Sequence, residues 1–185
     1  MRSGVLGRWL YRSRQFFAAL GVGARLSRED LAEARHVLGP DLYRVFAAMP
    51  TPYKRHGLSV YRKVLSAGGS DEALLQAALL HDSGKYHPSS GRYVTVLHRV
   101  AVVLLEAVPP GRPVLEWLSR KRPAKGLTGY LLHPFYLSKH HPRLGAKTAR
   151  EHGASPDLVR LIAEHQHSGA TDEALRHLQA ADDRS

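Results

Sequence analysis

The sequence contains no cysteine. This absence excludes disulfide bonds, a thiolate nucleophile and zinc sites built on sulfur ligands. Any metal ion that the chain binds must therefore be held by nitrogen and oxygen ligands.

Long apolar runs are lacking as well. The longest uncharged apolar stretch, Val100 to Leu105, is far shorter than the roughly 20 residues that cross a bilayer. The N-terminal stretch MRSGVLGRWLYRSRQFFAAL has arginines scattered along it, which is not the pattern of a signal peptide. We therefore expect a cytoplasmic protein.

Acidic residues are few relative to basic ones. The chain has 27 Lys and Arg but only 16 Asp and Glu, which gives a formal net charge of +11. Such a balance favours an anionic partner, which could be nucleic acid, an acidic membrane surface or a phosphorylated small molecule. Nucleic acid is the least favoured of these, because the chain has no recognisable reading helix, zinc finger or aromatic-rich RNA motif.

Helical signals dominate what remains, and no alternating strand pattern is present, so we predict an all-α fold. A length of 185 residues suits one domain with appendages. Caps, glycines and prolines predict helices over residues 27–39, 41–48, 55–66, 71–82, 94–108, 114–119, 142–152, 156–167 and 172–182, with Ser70 capping the fourth. Residues 86–93 are predicted as a loop.

The domain organisation follows from these boundaries. We predict an N-terminal helical extension over residues 1–49 that packs on a core domain of residues 50–185, with an insertion at about 86–139. A basic amphipathic helix at residues 5–20 could instead lie on an anionic membrane surface, and the apolar helix at 94–108 could deepen such a peripheral contact.

Four polar positions fall on inward faces of different predicted helices. His56 shares a face with Val60 and Val64, and His81 follows Leu74 and Ala78 with Asp82 beside it. The same test turns two more residues inward, which are His165 and Asp182. Any one of them alone would more simply be a hydrogen-bonded core histidine or a capping aspartate. Together they predict a metal site, because one cation satisfies several buried imidazoles and carboxylates at once.

These residues carry a resemblance to a known family. The run His81-Asp82-Ser83-Gly84-Lys85 resembles the signature of the HD superfamily of metal-dependent phosphohydrolases, in its HDIG-like branch. The resemblance covers about residues 50–183, and it implies a helical bundle of the HD-domain type. It implies a first ligand at His56 in KRHGLSVY and a last ligand at Asp182 in LQAADD.

A two-metal centre is implied by two further elements. The stretch HHPRLG is similar to an HP-x-x-G element and offers His141, and IAEHQHSG offers His165; Asp82 would then bridge the metals. The chain departs from cyclic-dinucleotide phosphodiesterases of the superfamily, because it has His165-Gln166-His167 in place of paired histidines and no Gly-Tyr-Pro element follows. A mononuclear centre on His56, His81, Asp82 and Asp182 stays open, and so does replacement of a ligand by His140 or His167.

The resemblance implies hydrolysis of a phosphoester, in a nucleotide or cyclic nucleotide, by water that one or two divalent ions activate. Manganese, iron, cobalt, nickel, zinc and magnesium are not distinguished by the sequence. Asp82 and Lys85 are the predicted catalytic residues, and Lys85, Arg143 and Lys147 are predicted to bind the substrate phosphates. For Lys85 the alternative is a solvated surface lysine, and Gly84 is expected at a sharp turn or helix C-cap.

A non-catalytic function is the alternative hypothesis to the enzyme. In it the domain senses a nucleotide at its metal centre, while its basic surface engages a partner or a membrane. The remaining histidines are predicted to lie on the surface; they are His36, His87, His98, His133, His152 and His177.

Overall fold

A computed structural model describes residues 26–107, 110–120, 126–167, 169 and 172–185. Within these ranges the chain is almost entirely helical, which confirms the predicted all-α class. The amphipathic helix predicted at residues 5–20 lies outside the described residues. None of the described helices is long and apolar enough to cross a membrane.

Eight α-helices follow one another in the described part of the chain. They are α1 Arg28–Ala48, α2 Thr51–Ser66, α3 Glu72–Leu80, α4 Val96–Ala107, α5 Gly111–Ser119, α6 Leu127–Glu151, α7 Pro156–Glu164 and α8 Glu173–Asp183. The predicted loop at residues 86–93 is instead a two-stranded antiparallel hairpin of β1 Tyr86–His87 and β2 Arg92–Tyr93.

Local chemistry explains the first helix. Ser27 accepts a hydrogen bond from the Asp30 amide, and Asp30 accepts one from the Ser27 amide, which is the predicted capping box. The helix breaks at Gly39, whose φ of 65° is accessible to glycine, and resumes after Pro40. The break lies where the sequence predicts the first helix to stop.

Three predicted boundaries were wrong. Helix α2 begins at Thr51 rather than 55, since Pro52 sits in the first turn, where a missing amide proton removes no helix bond. Asp71, not Ser70, caps α3 by accepting from the Leu74 amide. Helix α6 begins at Leu127 and not at 142, because it accommodates Pro134 and Pro142 in its interior.

The core is built around α3. This helix is predominantly apolar and packs between α2 and α7, while α8 packs against α2. Leu79 and Leu80 are buried at its end, and full burial of each such side chain stabilises the fold by roughly 1.5–3 kcal/mol. The end of α3 is thereby held in the middle of the bundle.

The predicted insertion forms a separate layer. Among the described residues, the central hydrophobic cluster draws on α1, α2, α3, α6, α7 and α8, and no member lies between residues 86 and 139. Helices α4 and α5 pack on each other and on the first half of α6. Helix α6 continues without interruption from this layer into the core, so the two parts share one continuous helix.

Close backbone packing joins the turn after α3 to α6. A Cβ atom on Gly84 would lie 2.1 Å from the His141 carbonyl oxygen and 2.6 Å from the Gly145 nitrogen. Gly84 is buried in a 3-10 turn over Ser83–Lys85 and is not a left-handed C-cap. Its role is to let α6 approach the end of α3.

Replacement of Gly84 by alanine is expected to push α6 away from α3. The clash is with backbone atoms, which move less easily than a side chain, so we expect the free energy of unfolding to fall by about 1–3 kcal/mol. Chemical denaturation measures this loss. The matched control is Ser89→Ala in the exposed turn of the hairpin, and an equal effect of the two substitutions would contradict the packing argument.

Candidate metal centre

Six polar side chains from five helices or their ends meet beside α3. His56 lies on α2, His81 and Asp82 follow α3, His141 lies on α6, His165 follows α7, and Asp182 lies on α8. His81, Asp82, His141 and His165 are buried. The structure thus brings together the six residues that the sequence predicts as ligands.

One half of the cluster combines two imidazoles and two carboxylates. His56 Nε2 lies 3.3 Å from His81 Nε2 and 2.9 Å from Asp182 Oδ1. Asp182 Oδ1 also lies 3.6 Å from His81 Nε2. His56, His81 and Asp82 each offer a ligand atom within 4.8 Å of the others, which is close enough for one ion to touch all three.

The other half shares the same aspartate. Ligand atoms of Asp82, His141 and His165 also lie within 4.8 Å of one another. His141 Nε2 is 3.6 Å from Asp82 Oδ1 and 3.2 Å from His165 Nε2. Asp82 therefore belongs to both halves, as the bridging position predicted for it requires.

Two ligand histidines are oriented by the ends of their helices. The last turn of an α-helix leaves carbonyl oxygens without a partner from the helix itself. His81 directly follows α3, and its Nδ1 donates to the Ala78 carbonyl at 3.1 Å. His165 directly follows α7, and its Nδ1 donates to the Ile162 carbonyl at 2.8 Å.

The third buried histidine uses a proline to the same effect. Pro142 has no amide proton, so it cannot donate to the carbonyl of Ser138 four residues earlier. That carbonyl accepts instead from His141 Nδ1 at 2.7 Å. The His-Pro dipeptide in α6 thus both frees the acceptor and places the ring that uses it.

These three hydrogen bonds fix the tautomers. A carbonyl oxygen only accepts, so the proton of each neutral ring is on Nδ1 and the Nε2 atom presents a lone pair. His141 Nε2 and His165 Nε2 then face each other across 3.2 Å with a lone pair on each. Two acceptors at this distance need a cation between them.

A proton is a poor candidate for that cation. Burial, together with the nearby charge of Lys85, holds the pKa of His141 well below its ordinary value. Burial also lowers the pKa of His165 to about 4. Both rings are therefore neutral near pH 7, and the opposed lone pairs suit a metal ion.

The two carboxylates are ionised. Burial would raise the pKa of Asp82, but the Lys85 ammonium group, and His81, whose own pKa is raised by the two carboxylates, hold it well below its usual range. Burial likewise opposes ionisation of Asp182, and His81 and His56 nevertheless lower its pKa. Imidazole nitrogens with carboxylate oxygens fit zinc, manganese, iron, cobalt or nickel.

Two cations also contact Asp82. Lys85 Nζ lies 2.7 Å from Asp82 Oδ1, with 15% of the lysine side chain exposed, so it is not a solvated surface residue. Arg99 lies 3.5 Å from Asp82 Oδ2, and its guanidinium stands 5.2 Å from the centre of the Tyr53 ring. Burial raises the pKa of Tyr53 to about 12, and its hydroxyl donates to the Val94 carbonyl.

The predicted phosphate ligands on α6 are not at the centre. Arg143 and Lys147 are exposed, and their helical spacing from His141 turns them to the opposite face. Lys147 instead approaches Glu151 at 3.8 Å. The sequence could not separate these faces because the full extent of α6 was not recognised.

His140 and His167 do not replace a ligand. His140 Nε2 bonds the Ser119 carbonyl at 3.1 Å and its ring packs on Tyr136, so it faces the α5 side of α6. His167 is exposed beyond the end of α7. Its carbonyl and that of His165 accept from the Gln179 side chain, which ties α7 to the helix that carries Asp182.

Among the other histidines, one prediction was wrong. His133 is buried in α6 rather than on a surface loop, and its ring contacts those of His87 and Tyr136. The misplacement has the same origin as the misplaced start of α6, since His133 precedes an interior proline. His36 is exposed, and the remaining ones are partly buried; these are His87, His98, His152 and His177.

A cleft of about 710 Å³ adjoins the centre and reaches it at Lys85, Arg99 and His141. Helices α4 and α5 contribute much of its wall, including the apolar side chain of Val102 on α4. The neighbouring helix α6 adds Phe135. Three cationic residues that the sequence did not single out line it, namely Arg99, Arg112 and Lys139. Their only sequence signal was the positive charge of the insertion.

Comparison with known proteins adds no assignment to this geometry. Scans against protein-family models, curated proteins and solved structures found no match.

Replacement of Pro142 by alanine tests how His141 is oriented. Alanine supplies an amide proton that competes for the Ser138 carbonyl, so we expect the affinity for a divalent cation at Asp82, His141 and His165 to fall about tenfold, as is typical when a ligand loses its orienting partner. Competition titration with a chromogenic chelator measures this change. Because alanine favours a helix interior, the fold is expected to keep its stability.

Pro134→Ala is the matched control, since it removes an interior proline from the same helix at a position remote from the ligand. Equal metal affinity of the wild type and Pro142→Ala would contradict the proposed role of the proline.

Proposed function

We propose that the chain is a metal-dependent phosphohydrolase that cleaves a phosphoester of a nucleotide or cyclic nucleotide, as its resemblance to the HD superfamily implies. The observation that carries the proposal is the pair of opposed, unprotonated Nε2 atoms of His141 and His165 beside the shared carboxylate of Asp82. A histidine pair of this kind has no structural use in a hydrophobic core, where unsatisfied polar atoms each cost about 1–3 kcal/mol.

The charges at the site favour an anionic substrate. The negative charges of Asp82 and Asp182 are already offset by Lys85 and Arg99, both within or near contact distance of Asp82. Each divalent cation would leave an excess of positive charge in a largely buried site. A phosphate group from the adjoining cleft would neutralise it.

When bound, a divalent cation would supply the Lewis acidity that lowers the pKa of a water molecule and polarises a phosphoryl oxygen. His56, His81, Asp82 and Asp182 would hold one such ion, and Asp82, His141 and His165 a second. The protein itself would provide no covalent nucleophile.

Lys85 and Arg99 would position and neutralise the reacting phosphate. Both side chains contact Asp82 and line the cleft, so they stand where the Asp82 carboxylate and the cleft meet. If the two cationic side chains contacted the phosphoryl oxygens in place of the Asp82 carboxylate, they would stabilise the negative charge that grows as the ester bond breaks. Arg112 and Lys139, further along the cleft, would bind a second anionic group.

The residues that line the cleft favour a substrate in which the phosphate is attached to an apolar or aromatic group. Val102, Val103, Leu115 and Phe135 line it together with the cations. Such a surface suits the base and sugar of a nucleotide better than a bare inorganic phosphate. This agrees with the substrate class that the resemblance implies.

Hydrolysis of bis(p-nitrophenyl) phosphate and of a nucleotide panel, with manganese or zinc added, tests the proposal. Lys85→Met is expected to lower kcat by about 10²–10³-fold, the range found when a donor to transition-state charge is removed. Arg99→Gln is expected to raise KM as well, since Arg99 lines the cleft.

Arg150→Gln, an exposed arginine on α6, is the matched control and should retain full activity. Turnover that survives Asp82→Ala would defeat the mechanism. Metal binding without turnover of any substrate would favour the nucleotide-sensing module instead.

A further inference from the structure

Exposed apolar side chains are concentrated in the insertion layer. Of the ten large hydrophobic residues that are exposed in the described part of the chain, nine lie between Tyr93 and Leu131, and the tenth is Leu65. Leu97 is 80% exposed, Leu127 74% and Trp117 68%. Scattered exposed apolar residues are ordinary, but a cluster of this size marks a contact surface.

Helix α4 turns three of its apolar residues outward. Leu97, Val100 and Leu104 follow one another at spacings of three and four, so they share a face. Arg99 and Glu106 stand about half a turn away and line the cleft. The side of α4 that faces away from the cleft therefore presents two leucines and a valine to its surroundings.

Helix α5 has the same arrangement. Val114 and Trp117 are exposed on one side, while Arg112 and Glu116 line the cleft on the other. The two helices touch end to end, because a Cβ atom on Gly111 would lie 2.1 Å from the Leu105 carbonyl oxygen. Their outward sides therefore belong to one layer.

The start of α6 extends this surface. His98 Nε2 lies 3.3 Å from the carbonyl oxygen of Leu131, which places the start of α4 against the start of α6. Leu127, Tyr130 and Leu131 are all exposed there. We call the combined surface the insertion face; it comprises Leu97, Val100, Leu104, Val114, Trp117, Leu127, Tyr130 and Leu131.

The charge of this layer is strongly positive. Residues 86–139 contain eight Lys and Arg and two Glu, a net charge of 8 − 2 = +6. Both acidic residues line the cleft, and so do Arg99, Arg112 and Lys139. Outside the cleft lining, residues 86–139 therefore have five basic residues and no acidic one, a net charge of +5. Exposed Arg120 ends α5, and Lys121, Arg122 and Lys125 follow it in the sequence.

We propose that the insertion face docks on an anionic membrane surface. Leucine, tryptophan and tyrosine side chains would enter the boundary between headgroups and acyl chains, and the basic residues outside the cleft would contact acidic headgroups. The positive charge disfavours a second copy of this chain as the occupant, since two such faces would repel each other. The catalytic cleft, on the opposite side of α4 and α5, would stay open.

Flotation of the full chain with vesicles tests this proposal. We expect binding to vesicles of phosphatidylcholine with phosphatidylglycerol, weak binding to phosphatidylcholine alone, and release when the ionic strength is raised. The triple variant Leu97→Gln, Leu104→Gln, Trp117→Gln should bind about tenfold or more weakly, because it removes three large apolar groups from the contact. Arg120→Gln should weaken binding about fivefold, as expected for one surface charge.

Leu65→Gln, which changes an exposed leucine on α2, is the matched control and should bind like the wild type. Circular dichroism verifies that each variant is folded. Absence of binding to the acidic vesicles would overturn the proposal, and so would equal binding by the triple variant, which would assign the contact to another part of the chain. A dimer that the triple variant dissociates in sedimentation, without vesicle binding, would show that the face joins two copies of the chain.

Discussion

The structure depends on the convergence of buried imidazole rings on one buried carboxylate, that of Asp82. His81, His141 and His165 each use their Nδ1 proton on a backbone carbonyl, which turns their Nε2 atoms toward the centre, and the Nε2 lone pairs of His141 and His165 face each other. Such an arrangement is unfavourable in a core unless cations occupy it. The hydrophobic packing of α3 and its neighbours holds this arrangement together.

The ligands stand where the helical hydrogen-bond ladder is interrupted. His81 and His165 follow the last turns of α3 and α7, and His141 precedes a proline inside α6. Each interruption leaves a carbonyl oxygen that can orient a ring. Gly84 and Gly145 then let these elements approach to backbone contact. The same local features that end or bend the helices therefore aim the ligands.

Much of this could be predicted from the sequence, since the decisive signals were local. The caps at Ser27 and Ser155 mark helix starts, and apolar neighbours at three and four residues turn His56, His81, His165 and Asp182 inward. Errors arose where tertiary packing overrides a local rule. Pro134 and Pro142 suggested a break, but neighbouring elements hold α6 continuous through both.

The dependence on tertiary packing also explains why Arg143 and Lys147 were predicted to lie at the centre and Arg99 was not. Arg143 and Lys147 are near His141 in sequence but on the wrong face of its helix. Arg99 is 17 positions from Asp82 in the chain and belongs to a very apolar helix, so no motif marks it, although it lies 3.5 Å from the Asp82 carboxylate. Only the packing of the insertion on the bundle brings it there.

Metal titration of chelator-treated protein shows whether the opposed histidines and Asp82 hold metal ions. We expect two equivalents of manganese or zinc per wild-type chain, about one for His165→Gln, and neither bound tightly by Asp82→Ala, with His167→Gln behaving like the wild type. A wild-type protein that binds no divalent cation, or one whose stoichiometry is unchanged by Asp82→Ala, would contradict the account.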